Sequence, residues 1–106
     1  MQDESLRKLN EVDRLIHEPA RLAIVSILYA VAEADFLYLM HELDLSKGNL
    51  SSHLAKLESA DYVKIDKSIQ DKKTKTVCSL TKTGRTEFEK YLKQMEQVMK
   101  FNQSRK

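Results

Sequence analysis

The stretch Leu45-Ser46-Lys47-Gly48-Asn49-Leu50-Ser51-Ser52-His53-Leu54-Ala55-Lys56-Leu57 decides the fold of this chain. Its apolar residues Leu50, Leu54 and Leu57 recur at i, i+4 and i+7, so they share one face of a helix. Ser46 is suited to the N-cap because its hydroxyl can accept a hydrogen bond from the first turn. The pattern therefore predicts a helix from Ser46 to Ser59 that packs one face against the rest of the protein.

The remaining face of this helix is polar and carries no carboxylate before Glu58. Its side chains are Lys47, Asn49, Ser51, Ser52, His53 and Lys56. A solvated helix usually mixes Glu with Lys, whereas a helix that lies in a DNA groove avoids negative charge and offers hydrogen-bonding groups. We expect the second helix of a helix-turn-helix here. A polar face without function is a common alternative.

Composition limits the class of protein. The chain has 106 residues, of which 42% are hydrophobic and 32% charged, as in one soluble domain. Its longest apolar run, 27–32, is too short to cross a bilayer, and the polar start at 1–4 predicts no secretory signal. A single cysteine, Cys78, excludes an internal disulfide, so a cytoplasmic location is the simplest expectation.

Charge is unevenly distributed along the chain. Residues 1–45 carry four basic and nine acidic side chains, a net charge of −5. Residues 46–85 carry nine basic and four acidic side chains, a net charge of +5. Because the total is only +2, the basic charge is concentrated around the polar helix. This asymmetry indicates a surface that binds a polyanion.

Three helices are predicted before the polar helix. A narrow apolar stripe predicts the first over 4–16, and Pro19 suits the first residue of the second, which is apolar on most sides and should be buried. After a very short strand at 34–36, the third covers 37–43. Asp44 should then adopt a left-handed turn that leads directly into the polar helix. Two helices joined this closely form a helix-turn-helix.

After Ser59 the hydrophobic period changes from 3.6 to 2. Val63 and Ile65 alternate with polar residues, and a second alternating run places Thr76, Cys78 and Leu80 on one face. The segment between these runs contains Lys72, Lys73 and Lys75. We therefore predict a β-hairpin with a cationic tip that contributes to DNA binding. The alternative is an ordinary polar loop.

A long last helix is predicted over 82–101, with Thr81 as its cap and Gly84 in its first turn, where glycine costs little. Apolar residues recur along it at helical spacing. Together with the first helix it carries more apolar surface than one small core is expected to cover, which predicts a homodimer. The residues assigned to dimerisation are Leu6, Leu9, Ile16, Met95, Val98 and Met99.

The order of elements resembles the small MarR/ArsR-like winged helix-turn-helix transcriptional regulators. The segments that carry the resemblance are Ala34-Asp35-Phe36-Leu37-Tyr38-Leu39, Leu45-Ser46-Lys47-Gly48-Asn49-Leu50-Ser51-Ser52-His53-Leu54 and Leu80-Thr81-Lys82-Thr83-Gly84-Arg85. It implies an α+β, mainly helical fold for the single domain 1–106. It also implies a DNA-recognition helix at 46–59, a two-stranded hairpin wing at 62–81 and terminal dimerisation helices.

The chain departs from this family at two turns. Where such proteins often place glycine, before the recognition helix and before the wing, it has Asp44 and Asp61. Both should keep the turns at slight cost, although carboxylates near DNA weaken affinity.

The DNA-binding assignment covers Ser46, Lys47, Asn49, Ser51, Ser52, His53, Lys56, Lys72, Lys73 and Lys75. Cys78 is isolated from the scattered His17 and His41, so neither a metal nor a cofactor is expected. No enzyme motif is present. The alternative function is a winged-helix protein-interaction module that does not bind DNA.

Overall fold

The computed structural model describes residues 4–104 and has the predicted α+β, mainly helical architecture. The helices are α1 (Glu4–Arg7), followed by a 3-10 turn at Lys8–Glu11, α2 (Pro19–Val31), α3 (Phe36–Glu42), α4 (Lys47–Ser59) and α5 (Lys82–Ser104). The strands are β1 (Glu33–Asp35), β2 (Val63–Gln70) and β3 (Lys73–Leu80).

The core is built around α2, as its apolar sequence predicts. Ile24, Val25 and Leu28 on this helix are buried, and the three leucines of α4 pack into the same cluster. Phe88 of α5 closes the cluster, with its ring centroid 5.1 Å from that of Tyr29. The periodicity of the sequence thus identifies the inward face of α4 correctly.

The sheet has three antiparallel strands in the order β1-β3-β2. Strand β1 pairs with β3 through Asp35 opposite Val77, and β2 pairs with β3 from Val63–Leu80 to Gln70–Lys73. Cys78 lies opposite Ile65, so the apolar positions of both strands share the face that covers the core. The predicted hairpin and the predicted short strand are therefore both confirmed.

Three of the described turns place an aspartate in the left-handed conformation. Asp44 has φ of 52° and Asp61 has φ of 63°, which confirms that both aspartates keep the turns. At the tip of the hairpin, Asp71 and Lys72 have φ of 51° and 65°. Positive φ at both central residues is the type I′ geometry that matches the twist of a two-residue hairpin. Lys73 and Lys75 lie in β3 rather than in a loop.

The first helix is shorter than the sequence pattern predicts. Helix α1 ends at Arg7, and the turn after the 3-10 segment is organised by Asp13, whose Oδ1 accepts hydrogen bonds from the N–H groups of Leu15 (2.8 Å) and Ile16 (3.2 Å). Such local bonding competes with a continuous helix. Ile16 is 0% exposed within the core. The assignment of Ile16 to a dimer contact is therefore wrong.

The start of α5 passes very close to the preceding strand. The hydroxyl of Thr81 accepts a hydrogen bond from the N–H of Gly84 (2.9 Å), which confirms the predicted cap. A Cβ atom at Gly84 would lie 2.1 Å from the carbonyl oxygen of Tyr62. Glycine is therefore required here by backbone packing, a reason that the sequence interpretation missed.

The molecule is elongated, with extents of 62 × 25 × 21 Å and a radius of gyration of 16.2 Å. A compact domain of this length would have a radius of gyration of about 13 Å. The 23-residue helix α5 accounts for much of the difference. No helix within residues 4–104 combines the length and the apolar character needed to cross a bilayer.

Candidate nucleic-acid interface

Helix α4 is held by its leucines and by its cap. Leu50, Leu54 and Leu57 are buried, and the hydroxyl of Ser46 accepts a hydrogen bond from the N–H of Asn49 (3.1 Å). The opposite face is exposed and carries Lys47, Asn49, Ser51, Ser52 and Lys56. A rigid helix thus presents hydrogen-bonding groups to solvent without a carboxylate before Glu58.

The turn before α4 connects it tightly to α3. The N–H of Asp44 donates to the carbonyl of His41 (3.3 Å), and the N–H of Leu45 donates to that of Met40 (3.1 Å). These bonds satisfy carbonyl groups at the end of α3. They also fix the direction in which α4 begins, so the two helices form one helix-turn-helix unit.

His53 does not belong to the outward face on which it was predicted. Its side chain is only 21% exposed, and its Nδ1 lies 3.1 Å from Nη1 of Arg21 and 3.7 Å from Oε2 of Glu18. His53 is three residues after Leu50 and four before Leu57, so it borders the buried face of the helix. Its imidazole joins α4 to the start of α2.

Glu18 caps α2 and adds negative charge at this junction. Its carboxylate accepts hydrogen bonds from the N–H groups of Arg21 (2.8 Å) and Ala20 (3.2 Å). Partial burial tends to raise the pKa of Glu18, but these bonds and the nearby His53 and Arg21 outweigh it and lower the pKa below its usual value. The carboxylate therefore stays charged and helps to orient Arg21.

The hairpin carries the second group of candidate contacts. Lys72, Lys73 and Lys75 are all exposed. Within residues 4–104 none of these three forms an ion pair, whereas Lys64 is paired with Asp66 at 3.7 Å. Their ammonium groups are therefore available to an anionic partner.

A cleft of about 490 Å³ separates the hairpin from α4. Lys47, Ser51 and Glu58 line it on the helix side, while Lys67 and Thr74 line it on the hairpin side. Sequence reasoning missed Lys67, although the period of 2 places it on the same face as Ile65. The ammonium groups of Lys47 and Lys67 on opposite walls would attract a phosphodiester strand. The carboxylate of Glu58 in the same cleft would repel it.

This arrangement matches a known family. A model described as "Winged helix DNA-binding domain" matches residues 20–99. The chain belongs to the winged helix DNA-binding domain family.

Individual relatives share this winged helix over most of the chain. An uncharacterized protein of Methanocaldococcus jannaschii is 33% identical over 87 residues, which are 82% of this chain and 95% of that protein. The structure of a transcriptional regulator homologue from Pyrococcus horikoshii OT3 superposes with a TM-score of 0.84 at 32% identity. That match covers 92% of this chain and 96% of the other.

A third comparison shows the winged-helix fold at greater distance. An ArsR family transcriptional regulator superposes with a TM-score of 0.60 at 18% identity, covering 88% of this chain and 97% of that one. The winged-helix fold expected from the resemblance to MarR/ArsR-like proteins is therefore confirmed.

The predicted dimerisation residues differ in how far the rest of the chain covers them. Leu9 and Met95 pack against the chain's own core, and α1 lies against α5 of the same chain. Leu6 and Met99 remain exposed, by 39% and 61%, and Val98 is partly buried. Leu92, which the prediction did not include, is 43% exposed. Part of the terminal apolar surface is thus covered within one protomer.

The remaining titratable candidates are structural parts of the winged helix. Cys78 is fully buried, and burial together with Asp35 and Glu58 raises the pKa of its thiol to about 11. Nδ1 of His17 lies 2.7 Å from the hydroxyl of Tyr91. Among residues 4–104, no three side chains of the His, Cys, Asp or Glu type cluster as metal ligands would.

Proposed function

We propose that this protein is a sequence-specific, double-stranded DNA-binding transcriptional regulator that acts as a homodimer. The observation that carries the proposal is the exposed face of α4, which presents cations, an amide and hydroxyls beside a hairpin whose Lys72, Lys73 and Lys75 form no ion pair within residues 4–104. A helix of this kind fits the major groove, and a hairpin at its side reaches the neighbouring backbone. A cytoplasmic location is part of the proposal.

Base readout is assigned to the first turns of α4. The amide of Asn49 can pair with the N6 and N7 edge of adenine, and the hydroxyl of Ser52 can bond to several base edges. Both side chains are exposed. Lys47 can reach either a base or a phosphate, because its long side chain also lines the cleft.

Backbone contacts are assigned to cations and hydroxyls that flank this region. Phosphate contacts set the position of a protein on the duplex without specifying sequence. The residues assigned to them are Ser51, Lys56, Lys67, Lys72, Lys73 and Lys75, all of which are exposed. Ser46 supports DNA binding by capping α4, and His53 supports it by holding α4 against Arg21.

The homodimer is proposed from the ends of the chain. Leu6 on α1 and Leu92 and Met99 on α5 leave apolar surface exposed, as an isologous contact between two copies requires. The paired recognition helices should lie about 34–36 Å apart, and the DNA site should be a rough palindrome. Sedimentation at tens of micromolar tests this directly. A monomer at that concentration would contradict it, and Leu92→Lys should shift a wild-type dimer towards monomer.

The alternative function is a protein-interaction module. It is favoured by Leu37 and Tyr38, two exposed large side chains on α3. Selection of bound sequences from a random duplex pool, followed by binding at several salt concentrations, separates the two functions. We expect an enriched palindrome and salt-dependent affinity. No enrichment and no retention on any duplex would favour the protein-interaction module.

A further inference from the structure

Ile69 is the feature that the proposed function leaves unexplained. It is 78% exposed, more than any other large hydrophobic side chain in the described part of the chain. It lies near the tip of the hairpin, opposite Thr74 and two residues before the turn at Asp71-Lys72. An aliphatic side chain at the end of a solvated ribbon adds nothing to the core.

The position of Ile69 is set by the register of the sheet. Strand β1 pairs with β3 only as far as Val77, so the outer hairpin, defined as 67–76, has two strands and no third strand beside them. It comprises four residue pairs, which extend roughly 13 Å at about 3.3 Å per residue. This length exceeds the depth of the minor groove, about 7.5 Å.

The side chain of Ile69 is on the face of the hairpin that looks towards α4. Ile65 and Lys67 line the cleft from β2, and Ile69 continues their alternation. Its cross-strand partner Thr74 lines the same cleft. If α4 lies in a major groove, this face would meet the adjacent backbone, and the outer hairpin is long enough to reach the minor groove beyond it.

The charges around Ile69 identify the kind of partner. Lys67 precedes it on the same face, and the tip carries Lys72, Lys73 and Lys75. Two acids are nearby: Asp66 is paired with Lys64, and Asp71 in the turn is outnumbered by the four lysines, so the outer hairpin keeps a net positive charge. A single apolar side chain among ammonium groups fits a polyanion with an apolar interior better than it fits an apolar protein surface. Duplex DNA has this combination in its stacked bases.

We propose that Ile69 is a minor-groove wedge, which partly separates one base step beside the site read by α4 and makes binding depend on the deformability of that step. Apolar side chains used in this way kink the duplex towards the major groove. Pyrimidine–purine steps such as TA open easily, whereas A-tracts are stiff. The wedge rests on the proposed function and adds sequence preference at positions that α4 does not touch.

The test uses two duplexes that share the selected core and differ in their flanks, which contain either TA steps or an A-tract. Wild-type protein should prefer the TA flanks roughly fivefold to tenfold, because a TA step costs less to open than a step within a stiff A-tract. It should also bend them by about 20° or more, measured by energy transfer between end labels. Ile69→Thr, which keeps a β-branched side chain, should lose both the preference and the bend.

Ile69→Val should retain most of the preference, and Ser68→Ala, on the opposite face of the same ribbon, should retain all of it. An unchanged flank preference and bend in Ile69→Thr would overturn the wedge while leaving the proposed function intact. Wild-type protein that binds the core without any flank preference would overturn it equally. Failure of wild-type protein to bind either duplex would instead contradict the proposed function.

Discussion

Gly84 shows how one backbone contact governs the choice of residue. A Cβ atom there would lie 2.1 Å from the carbonyl oxygen of Tyr62, which is fixed by its hydrogen bond from the N–H of Thr81 (3.0 Å). We predict that Gly84→Ala lowers the free energy of unfolding by about 3 kcal/mol, as overpacking does, despite alanine's higher helix propensity. Urea unfolding measures the loss. Thr83→Ala, at an exposed neighbouring position, is the control.

Gly48 presents the opposite situation on α4. Apart from its chain neighbours and the backbone of its own helix, no described atom lies within 4 Å of a Cβ built at this position, so packing does not require glycine. We predict that Gly48→Ala raises the free energy of unfolding by about 0.5 kcal/mol or less, because Gly48 lies in the first turn of α4, where glycine costs less than in the middle of a helix. It should nevertheless weaken DNA binding several-fold, because glycine permits close approach of the backbone to a phosphate. Unchanged DNA affinity in this variant would contradict the close approach.

At the residue scale, the periodicity of the sequence predicted which side chains are buried better than it predicted which residues of other elements they contact. The leucine pattern identified the inward face of α4 and the exposure of Asn49, since both follow from helix geometry alone. The sequence interpretation assigned His53 to the outward face, although its spacing from Leu50 and Leu57 places it beside the buried face. Its contact with Arg21 was not predicted, since that contact depends on how α2 crosses α4. Lys67 was missed for a similar reason, because its role depends on the cleft between separate elements.

At the element scale, the elements with strong local signals were predicted well. The cap of α4, the alternation of β2 and the cap of α5 are encoded by adjacent residues. The end of α1 was not predicted, since the hydrogen bonds of Asp13 to Leu15 and Ile16 compete with an apolar pattern that also fits a helix. The two-residue turn was not located because its positive φ values fall on Asp71 and Lys72 without glycine.

Strand β3 carries a buried thiol that should couple folding to alkaline pH. Burial raises the pKa of Cys78 from an ordinary value of 9.0 to about 11. Below pH 9 the thiol is protonated in both the folded and the unfolded state, so the fold keeps its full stability. Between pH 9 and 11 the thiol ionises in the unfolded state but not in the folded state, so the free energy of unfolding falls as pH rises. We predict a loss of up to about 3 kcal/mol over this interval.

Urea unfolding at several pH values measures this loss. In Cys78→Val the difference in unfolding free energy between pH 8.5 and 10.5 should be smaller than in the wild type. Equal pH slopes in the two proteins would show that the thiol does not ionise on unfolding. The tyrosines add equally to the pH dependence of both proteins. They include Tyr62, whose pKa is raised mainly by burial.

At the scale of the whole molecule, the protein is elongated. It combines the long helix α5 with a cationic face formed by α4 and the hairpin. The sequence predicted the charge asymmetry because charge adds along the chain regardless of folding. It predicted the terminal apolar surface only in part, since Leu9 and Met95 pack within the protomer and Ile16 is in the core. The exposed Leu92 replaces them in the proposed contact.

The most direct measurement compares Asn49→Ala and Lys73→Ala on the selected duplex and on a random duplex across a range of salt concentrations. Lys73→Ala should weaken both duplexes alike and reduce the slope of log affinity against log salt by roughly 1. Asn49→Ala should cost about 1–3 kcal/mol on the selected duplex and little on the random one. Equal losses on both duplexes for the two variants would contradict the assigned readout, and unchanged binding in both would contradict the DNA-binding face.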